Sequence, residues 1–236
     1  MTGRDEGRQA RARLVLWELW RAYQQVAETR QVACAPGCHV CCSGRVLLTT
    51  LEARLLAEEL TASGQRGLLA LAARAPAAFG PACTHNALAR LCLAGQEPPP
   101  DPGPDPGPGP EGRCPLLRGG LCVAYAARPM ACRVMCSLTR CQPGGAASQD
   151  PWWVTVDTVF LQLVEQVDAG GGWGPMPRVL ASLERGGGPG LARCENLPGL
   201  PVPPEDQERL SRLLEQVFSR PLNGQPLGLW INRLRI

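Results

Sequence analysis

The sequence contains no lysine, and its formal net charge of +3 comes from 24 arginines set against 21 acidic residues. It has no arginine-rich run and no alternation of basic and aromatic residues, so we expect no nucleic-acid partner. No stretch approaches the roughly 20 consecutive apolar residues of a membrane span, so we expect no membrane partner. The charged N-terminus lacks the apolar stretch of a signal peptide. These absences predict a cytoplasmic protein.

Histidine is also scarce, with only two in the chain, at positions 39 and 85. No Ser-His-Asp or Cys-His-Asp grouping can therefore be read from the sequence, and no catalytic residue is assigned. No glycine motif for binding an organic cofactor is evident either.

Cysteine, in contrast, is abundant, with 12 residues. This is about 5% of the chain, below the level typical of a short secreted disulfide scaffold. In a reducing compartment, clustered cysteines usually indicate metal binding or catalysis. A disulfide-bonded protein is the alternative interpretation, and it predicts that few free thiols would be found by titration.

Nine of the cysteines lie in two stretches. The first stretch reads Cys-Ala-Pro-Gly-Cys-His-Val-Cys-Cys and contributes Cys34, Cys38, Cys41 and Cys42. The second stretch contributes Cys114, Cys122, Cys132, Cys136 and Cys141. Thiolates are soft ligands that favour Zn²⁺, Cu(I) and iron–sulfur clusters. We therefore predict that the two stretches close on each other around metal.

The adjacent pair Cys41-Cys42 leaves the number of metal sites open. Neighbouring side chains usually point apart, so either only one of the two is a ligand or they serve different metal atoms. Eight nearby thiols would suit two four-ligand sites, or one cluster with spare thiols. Whether Cys136 or Cys141 completes the set is equally open. Arg128, Arg133 and Arg140 lie among the ligands and could offset thiolate charge through hydrogen bonds.

These motifs resemble the CxxxCxxCC zinc- or iron-chelating domain family, the YkgJ-type cysteine cluster proteins, which are of bacterial type. The resemblance covers roughly residues 34–141. Its matching residues, in order, are Cys34, Cys38, Cys41 and Cys42, then Cys114-Pro115, Cys122 with Tyr125, Arg128-Pro129 and Cys132-Arg133. It implies a metal-chelating cytosolic domain. A weaker similarity to flagellin lysine N-methylase implies, as an alternative, a cluster-dependent enzyme that uses S-adenosylmethionine.

The rest of the chain predicts helices. Apolar residues recur at three- and four-residue steps from Arg8 to Gln31, and the expected apolar face carries Leu14, Leu16, Trp17, Trp20, Tyr23 and Ala27. Residues 97–112 read as a Pro/Gly-rich linker that interrupts the cysteine region. Further helices are expected from a capping box at Thr49–Glu52, over 66–93 with a break near Pro76 and Pro81, from Asp150-Pro151 to Val167, over 177–183 and over 204–219.

The sequence as a whole predicts a mostly α, single-domain protein spanning residues 1–236, with a small irregular cysteine-cluster site at 34–141. We expect it to chelate iron, as a [4Fe-4S] iron–sulfur cluster, or zinc. Metal is the expected partner, and a protein partner is left open.

Overall fold

The structure is a computed structural model that describes residues 3–43, 45–75, 81–100, 113–142, 146–184 and 190–236. Within these ranges helices predominate, which confirms the mostly α prediction. The helices are α1 (Gly3–Ala27), α2 (Thr50–Ala62), α3 (Arg66–Arg74), α4 (His85–Leu93), α5 (Met130–Val134), α6 (Pro151–Val167), α7 (Met176–Glu184), α8 (Gln207–Phe218) and α9 (Leu227–Asn232). The strands are β1 (Leu47–Thr49), β2 (Leu117–Arg118), β3 (Leu121–Cys122), β4 (Gly172–Pro175), β5 (Ala192–Arg193), β6 (Pro221–Leu222) and β7 (Gln225–Pro226).

Local capping sets the starts of two long helices where the sequence predicts them. The Thr49 hydroxyl accepts from the Glu52 N–H at the start of α2, and the Glu52 carboxylate accepts from the Thr49 N–H, which completes a capping box. Asp150 accepts from the Trp152 N–H, and Pro151 occupies the first turn of α6. Helix α6 then ends at Val167, as predicted.

The predicted break after α3 is also present. Ala75 at its C-terminus is extended (φ −61°, ψ 148°), as expected of a residue before proline. Helix α4 begins at His85, with Thr84 as its N-cap. Helix α1, in contrast, ends at Ala27 rather than continuing to Gln31.

The strands are short and lie in three separate groups. One sheet has the order β1-β4-β5, with antiparallel pairs throughout. Strands β2 and β3 form a hairpin whose turn contains Gly119 and Gly120, at φ +56° and +80°. Strands β6 and β7 form a second hairpin, whose turn is at Asn223-Gly224.

The described residues form two hydrophobic cores. The first joins α1, α6, α8 and α9, with Trp20, Tyr23 and Phe160 fully buried. The second joins α2 and α7 to the segment that carries β2 and β3, through residues such as Leu56 and Leu180. On α1, Leu14 is 48% exposed and Trp17 is 37% exposed, so their predicted place on the apolar face is wrong. Leu16, Trp20 and Tyr23 are buried as predicted, and Leu19 is buried with them.

Most of the predicted linker, residues 101–112, lies outside the described residues. None of the helices within the described ranges combines the length and the apolar character needed to cross a membrane.

Candidate metal centre

The two cysteine stretches are joined directly through their backbones. The Cys114 N–H donates to the Cys42 carbonyl at 3.1 Å, and Ser43 forms an antiparallel bridge with Arg113. A second contact joins the opposite ends, where the Ala33 N–H donates to the Ser137 carbonyl at 2.8 Å. The first stretch therefore begins next to the C-terminal part of the second stretch. It ends next to the N-terminal part of the second stretch.

Tight turns shape the first stretch. The Cys38 N–H donates to the Ala35 carbonyl at 2.9 Å, and the Cys42 N–H donates to the His39 carbonyl at 3.0 Å. Gly37 has φ +84°, a conformation that L-residues rarely adopt. Cys38 and Cys41 are exposed, whereas Cys34 and Cys42 are half-buried.

The second stretch combines the β2–β3 hairpin with the short helix α5. The Leu117 N–H donates to the Cys114 carbonyl at 3.0 Å, and Leu117 pairs with Cys122 across the hairpin. The turn of the hairpin lies against the first stretch, because a Cβ placed on Gly120 would be 3.7 Å from the His39 Nδ1. Cys132 lies within α5 and is half-buried.

A buried carboxylate fixes α5 to α2. The Met130 N–H donates to Glu52 Oε1 at 2.7 Å, while Glu52 Oε2 accepts from the Thr49 N–H at 3.0 Å. Burial raises the pKa of Glu52 to about 6, although these N–H groups act in the opposite direction. Sequence reasoning identified Glu52 only as a capping residue. Its second oxygen also positions the helix that carries Cys132.

Four thiols lie together on the core side of the site. Burial, together with the smaller effects of the nearby thiols of Cys114 and Cys122, raises the pKa of Cys132 to about 12. The hydrogen bond between Cys41 and Cys42 raises the pKa of Cys42, and Cys114 and Cys132 add to this effect. Cys114 and Cys122 also pack against the second hydrophobic core. We call Cys42, Cys114, Cys122 and Cys132 the inner thiols.

The other five thiols include the two exposed ones, Cys38 and Cys41, whereas Cys34, Cys136 and Cys141 are half-buried. Burial raises the pKa of Cys34, and so do the thiols of Cys38, Cys41 and Cys141. Burial also raises the pKa of Cys136, and the thiols of Cys34 and Cys41 raise it as well. The hydrogen bond with Cys42 lowers the pKa of Cys41, and Arg128 lowers it further. We call Cys34, Cys38, Cys41, Cys136 and Cys141 the outer thiols.

All nine predicted cysteines therefore lie in one region. However, among the described residues no three Cys, His, Asp or Glu side chains converge closely enough to hold one ion in this arrangement. The donor chemistry fits zinc or an iron–sulfur cluster, because the nine predicted ligands are all thiols. Binding would require the sulfurs to converge from their positions here.

Two of the three predicted arginines lie close to the thiols. The Arg128 guanidinium lies 3.5 Å from the centre of the Tyr125 ring, and its charge lowers the pKa of Cys132 against the larger effect of burial. Arg133 donates from Nε to the Arg128 carbonyl at 2.8 Å and lies over the Trp20 ring. Arg140 is exposed. Within the described ranges, neither Arg128 nor Arg133 forms a salt bridge.

A buried ion pair lies beneath the outer thiols and was missed in the sequence. Arg30 Nη1 donates to Asp157 Oδ2 at 2.9 Å, and the Tyr23 hydroxyl donates to Oδ1 at 2.7 Å. The Arg30 guanidinium also lies 5.1 Å from the centre of the Trp153 ring. A signal was available, since Asp157 is a lone acid in the apolar first half of α6. This network anchors the chain four residues before Cys34.

An open groove of about 350 Å³ adjoins the second stretch. Its walls come from α1 and from the segment before and within α5. It is lined by Trp17, Trp20, Arg21, Gln24, Gln25, Glu28, Ala126 and Arg133.

Comparison with known proteins gives no match to a family model, to a curated protein or to a solved structure.

Proposed function

We propose that this chain is a metal-binding protein that holds iron, as an iron–sulfur cluster, or zinc through the cysteines of its two stretches. The observation that carries the proposal is the hydrogen bond from the Cys114 N–H to the Cys42 carbonyl. It brings together two thiol-rich segments that are far apart in the sequence. We also propose that the chain is a divergent member of the CxxxCxxCC family that its motifs resemble.

The charges around the thiols favour this function. A divalent ion with four thiolates carries a net charge of about −2, which nearby cations stabilise. Arg128 and Arg133 lie at the thiols without a carboxylate partner within the described ranges. A protein that needed these arginines only for solubility would not have to place them beside half-buried sulfurs.

Metal would supply folding free energy to a region with little core of its own. Structural zinc contributes on the order of 10–16 kcal/mol in small zinc-finger peptides. An iron–sulfur cluster could in addition carry an electron. Because thiol ligands must stay reduced, we place the protein in the cytoplasm.

The test is the metal and acid-labile sulfide content of the full chain purified without oxygen, together with its visible absorption spectrum. Iron with equal sulfide and a brown colour would identify a cluster, whereas a colourless protein with zinc would identify a thiolate zinc site. Protein without metal that also fails to take up iron or zinc after reduction would overturn the proposal.

Two variants make this test specific. Cys38→Ser/Cys41→Ser removes two exposed thiols from the first stretch and should lower the metal content. The matched control is Cys92→Ser, because Cys92 is also exposed but lies in α4, outside both stretches. The control should keep the full metal content.

A further inference from the structure

The nine thiols differ in how they are held and in their access to solvent. We propose that they form two separate metal sites, an inner site that stabilises the fold and an outer site that exchanges its metal with thiol or chelating ligands in solution. The inner site comprises Cys42, Cys114, Cys122 and Cys132, and the outer site draws on Cys34, Cys38, Cys41, Cys136 and Cys141. This inference rests on the proposed function.

The boundary between the two sites is the peptide bond between Cys41 and Cys42. Cys42 is half-buried, and its carbonyl is bonded to the N–H of Cys114. Cys41 is exposed and lies within the turn that runs from His39 to Cys42. Adjacent thiols that differ in exposure in this way are placed to serve different metal atoms.

The inner thiols are held by elements that belong to the fold. Cys122 is paired with Leu117 in the hairpin, and both Cys114 and Cys122 pack against the second hydrophobic core. Cys132 lies in α5, which Glu52 fixes through the Met130 N–H. Four thiols match the four ligands of a structural zinc ion. None of these four thiols is exposed, so metal bound here would be less accessible to a ligand in solution than metal bound to Cys38 and Cys41.

The outer thiols are held mainly by turns. Cys38 and Cys41 are exposed, and the stretch between them is shaped by hydrogen bonds within the loop. The end of the second stretch is tied to this loop through Ala33 and Ser137. Five thiols are one more than a tetrahedral ion requires. With a spare thiol in an exposed site, one ligand can be replaced by another while the metal keeps four donors.

The chemistry of exchange is ligand substitution. With Zn²⁺, each step replaces a Zn–S bond to this chain with a bond to the incoming ligand. The released thiolate takes up a proton, and the zinc remains divalent. A recipient with soft thiolate donors is favoured, because such donors match those it replaces.

The test loads the reduced full chain with Zn²⁺ and follows its transfer to a chromogenic chelator such as pyridylazoresorcinol. We expect two zinc ions per chain, released in a fast phase and in a slow phase of equal amplitude. Cys38→Ser/Cys41→Ser should abolish the fast phase and leave the slow one. Cys92→Ser should leave both phases unchanged.

The matched inner variant is Cys122→Ser/Cys132→Ser, which should abolish the slow phase. If the inner variant fails to fold, the outer variant is a sufficient test by itself. In the outer variant, half of the zinc should remain and should be released in the slow phase. Release in one phase, or complete loss of zinc in the outer variant, would overturn the two-site inference while leaving the proposed function intact. A wild-type chain that binds no zinc and no iron would overturn both.

Discussion

At the scale of single residues, Asp157 supplies the negative charge of a buried ion pair. It is 5% exposed, and it accepts hydrogen bonds from Arg30 and Tyr23. Asp157→Ala would leave the buried Arg30 guanidinium without a counter-charge, so we expect the free energy of unfolding to fall by about 3–5 kcal/mol. Urea denaturation monitored by circular dichroism measures this change.

Tyr23→Phe is the matched control for that experiment. It removes one hydrogen bond and keeps the ion pair and the edge-to-face contact with Phe160. We expect it to lower the free energy of unfolding by about 1.5–3 kcal/mol, the value typical of a hydrogen bond to a charged group and less than the loss in Asp157→Ala. Equal losses in the two variants would contradict the assignment of the larger effect to an unpaired charge.

His85 makes stability depend on pH. It is half-buried beside Trp173, and burial lowers its pKa to about 4. Between that value and its unfolded value of about 6.5, the unfolded chain binds a proton that the folded chain does not, so stability falls as the pH is lowered. We expect His85 to account for a loss of about 1–2 kcal/mol between pH 7 and pH 5.

His85→Phe keeps an aromatic ring against Trp173 and removes the titration. Urea denaturation at pH 7 and pH 5 should therefore show a smaller loss on acidification in this variant than in the wild type. A loss of the same size in both proteins would show that other groups cause the pH dependence.

The candidate thiols could be selected from the sequence, but the way the structure groups them could not. Cys34 and Cys141 are recognisable because they lie in clusters of thiols. Which thiols lie together depends on the pairing of Cys114 with Cys42, a contact across 72 positions that no local pattern encodes. The roles of Arg30 and Glu52 escaped notice for the same reason, since their partners lie on distant helices.

At the scale of the elements, the turn after α6 leaves less room for a side chain than any other described glycine position. A Cβ on Gly171 would lie 2.5 Å from both carboxylate oxygens of Asp168. That carboxylate accepts from the Thr50 hydroxyl and the Leu51 N–H, which fixes the start of α2. We expect Gly171→Ala to destabilise the protein by about 1–3 kcal/mol, because Asp168 must move away from these donors. Thermal unfolding of the variant measures the loss.

Gly67→Ala provides the comparison. Gly67 lies in α3, and an added Cβ there meets nothing within 4 Å. Alanine favours a helix, so this variant should gain up to about 1 kcal/mol. If Gly67→Ala were as destabilising as Gly171→Ala, the close approach to Asp168 would not be the cause.

Helices whose starts carry local signals were predictable, while the small sheet was not. The capping residues Thr49 and Asp150 set the starts of α2 and α6 through bonds to their own neighbours. Strands β1, β4 and β5 have only two to four residues each. Such short strands show no alternation in sequence and form only because their partners are supplied by the tertiary fold. Helix α9, with six residues, escaped prediction for a similar reason.

At the scale of the whole molecule, metal should stabilise one part of the chain more than another. The first core, built on α1 and α6, contains none of the nine thiols, whereas Cys114 and Cys122 pack on the second. Chelation should therefore increase hydrogen exchange at amides such as those of Ala33, Cys114 and Val123. Amides in the middle of α1 and α6 should keep their protection.

Hydrogen exchange with mass spectrometry, with and without a chelator, measures this difference, and adding metal back should reverse it. An equal loss of protection in both cores would mean that metal supports the fold globally. No change at Cys114 and Val123 would mean that metal does not support the hairpin.

The pairing of Cys42 with Cys114 also has a consequence for biosynthesis. At about 5–20 residues per second, a ribosome needs roughly 5–20 s to proceed from Cys42 to Cys132. During that time the four cysteines of the first stretch leave the ribosome before the cysteines of the second stretch have been synthesised. The nascent chain would then depend on a reducing environment for its thiols to survive. We therefore expect metal to enter the inner site only after residue 132 has left the ribosome.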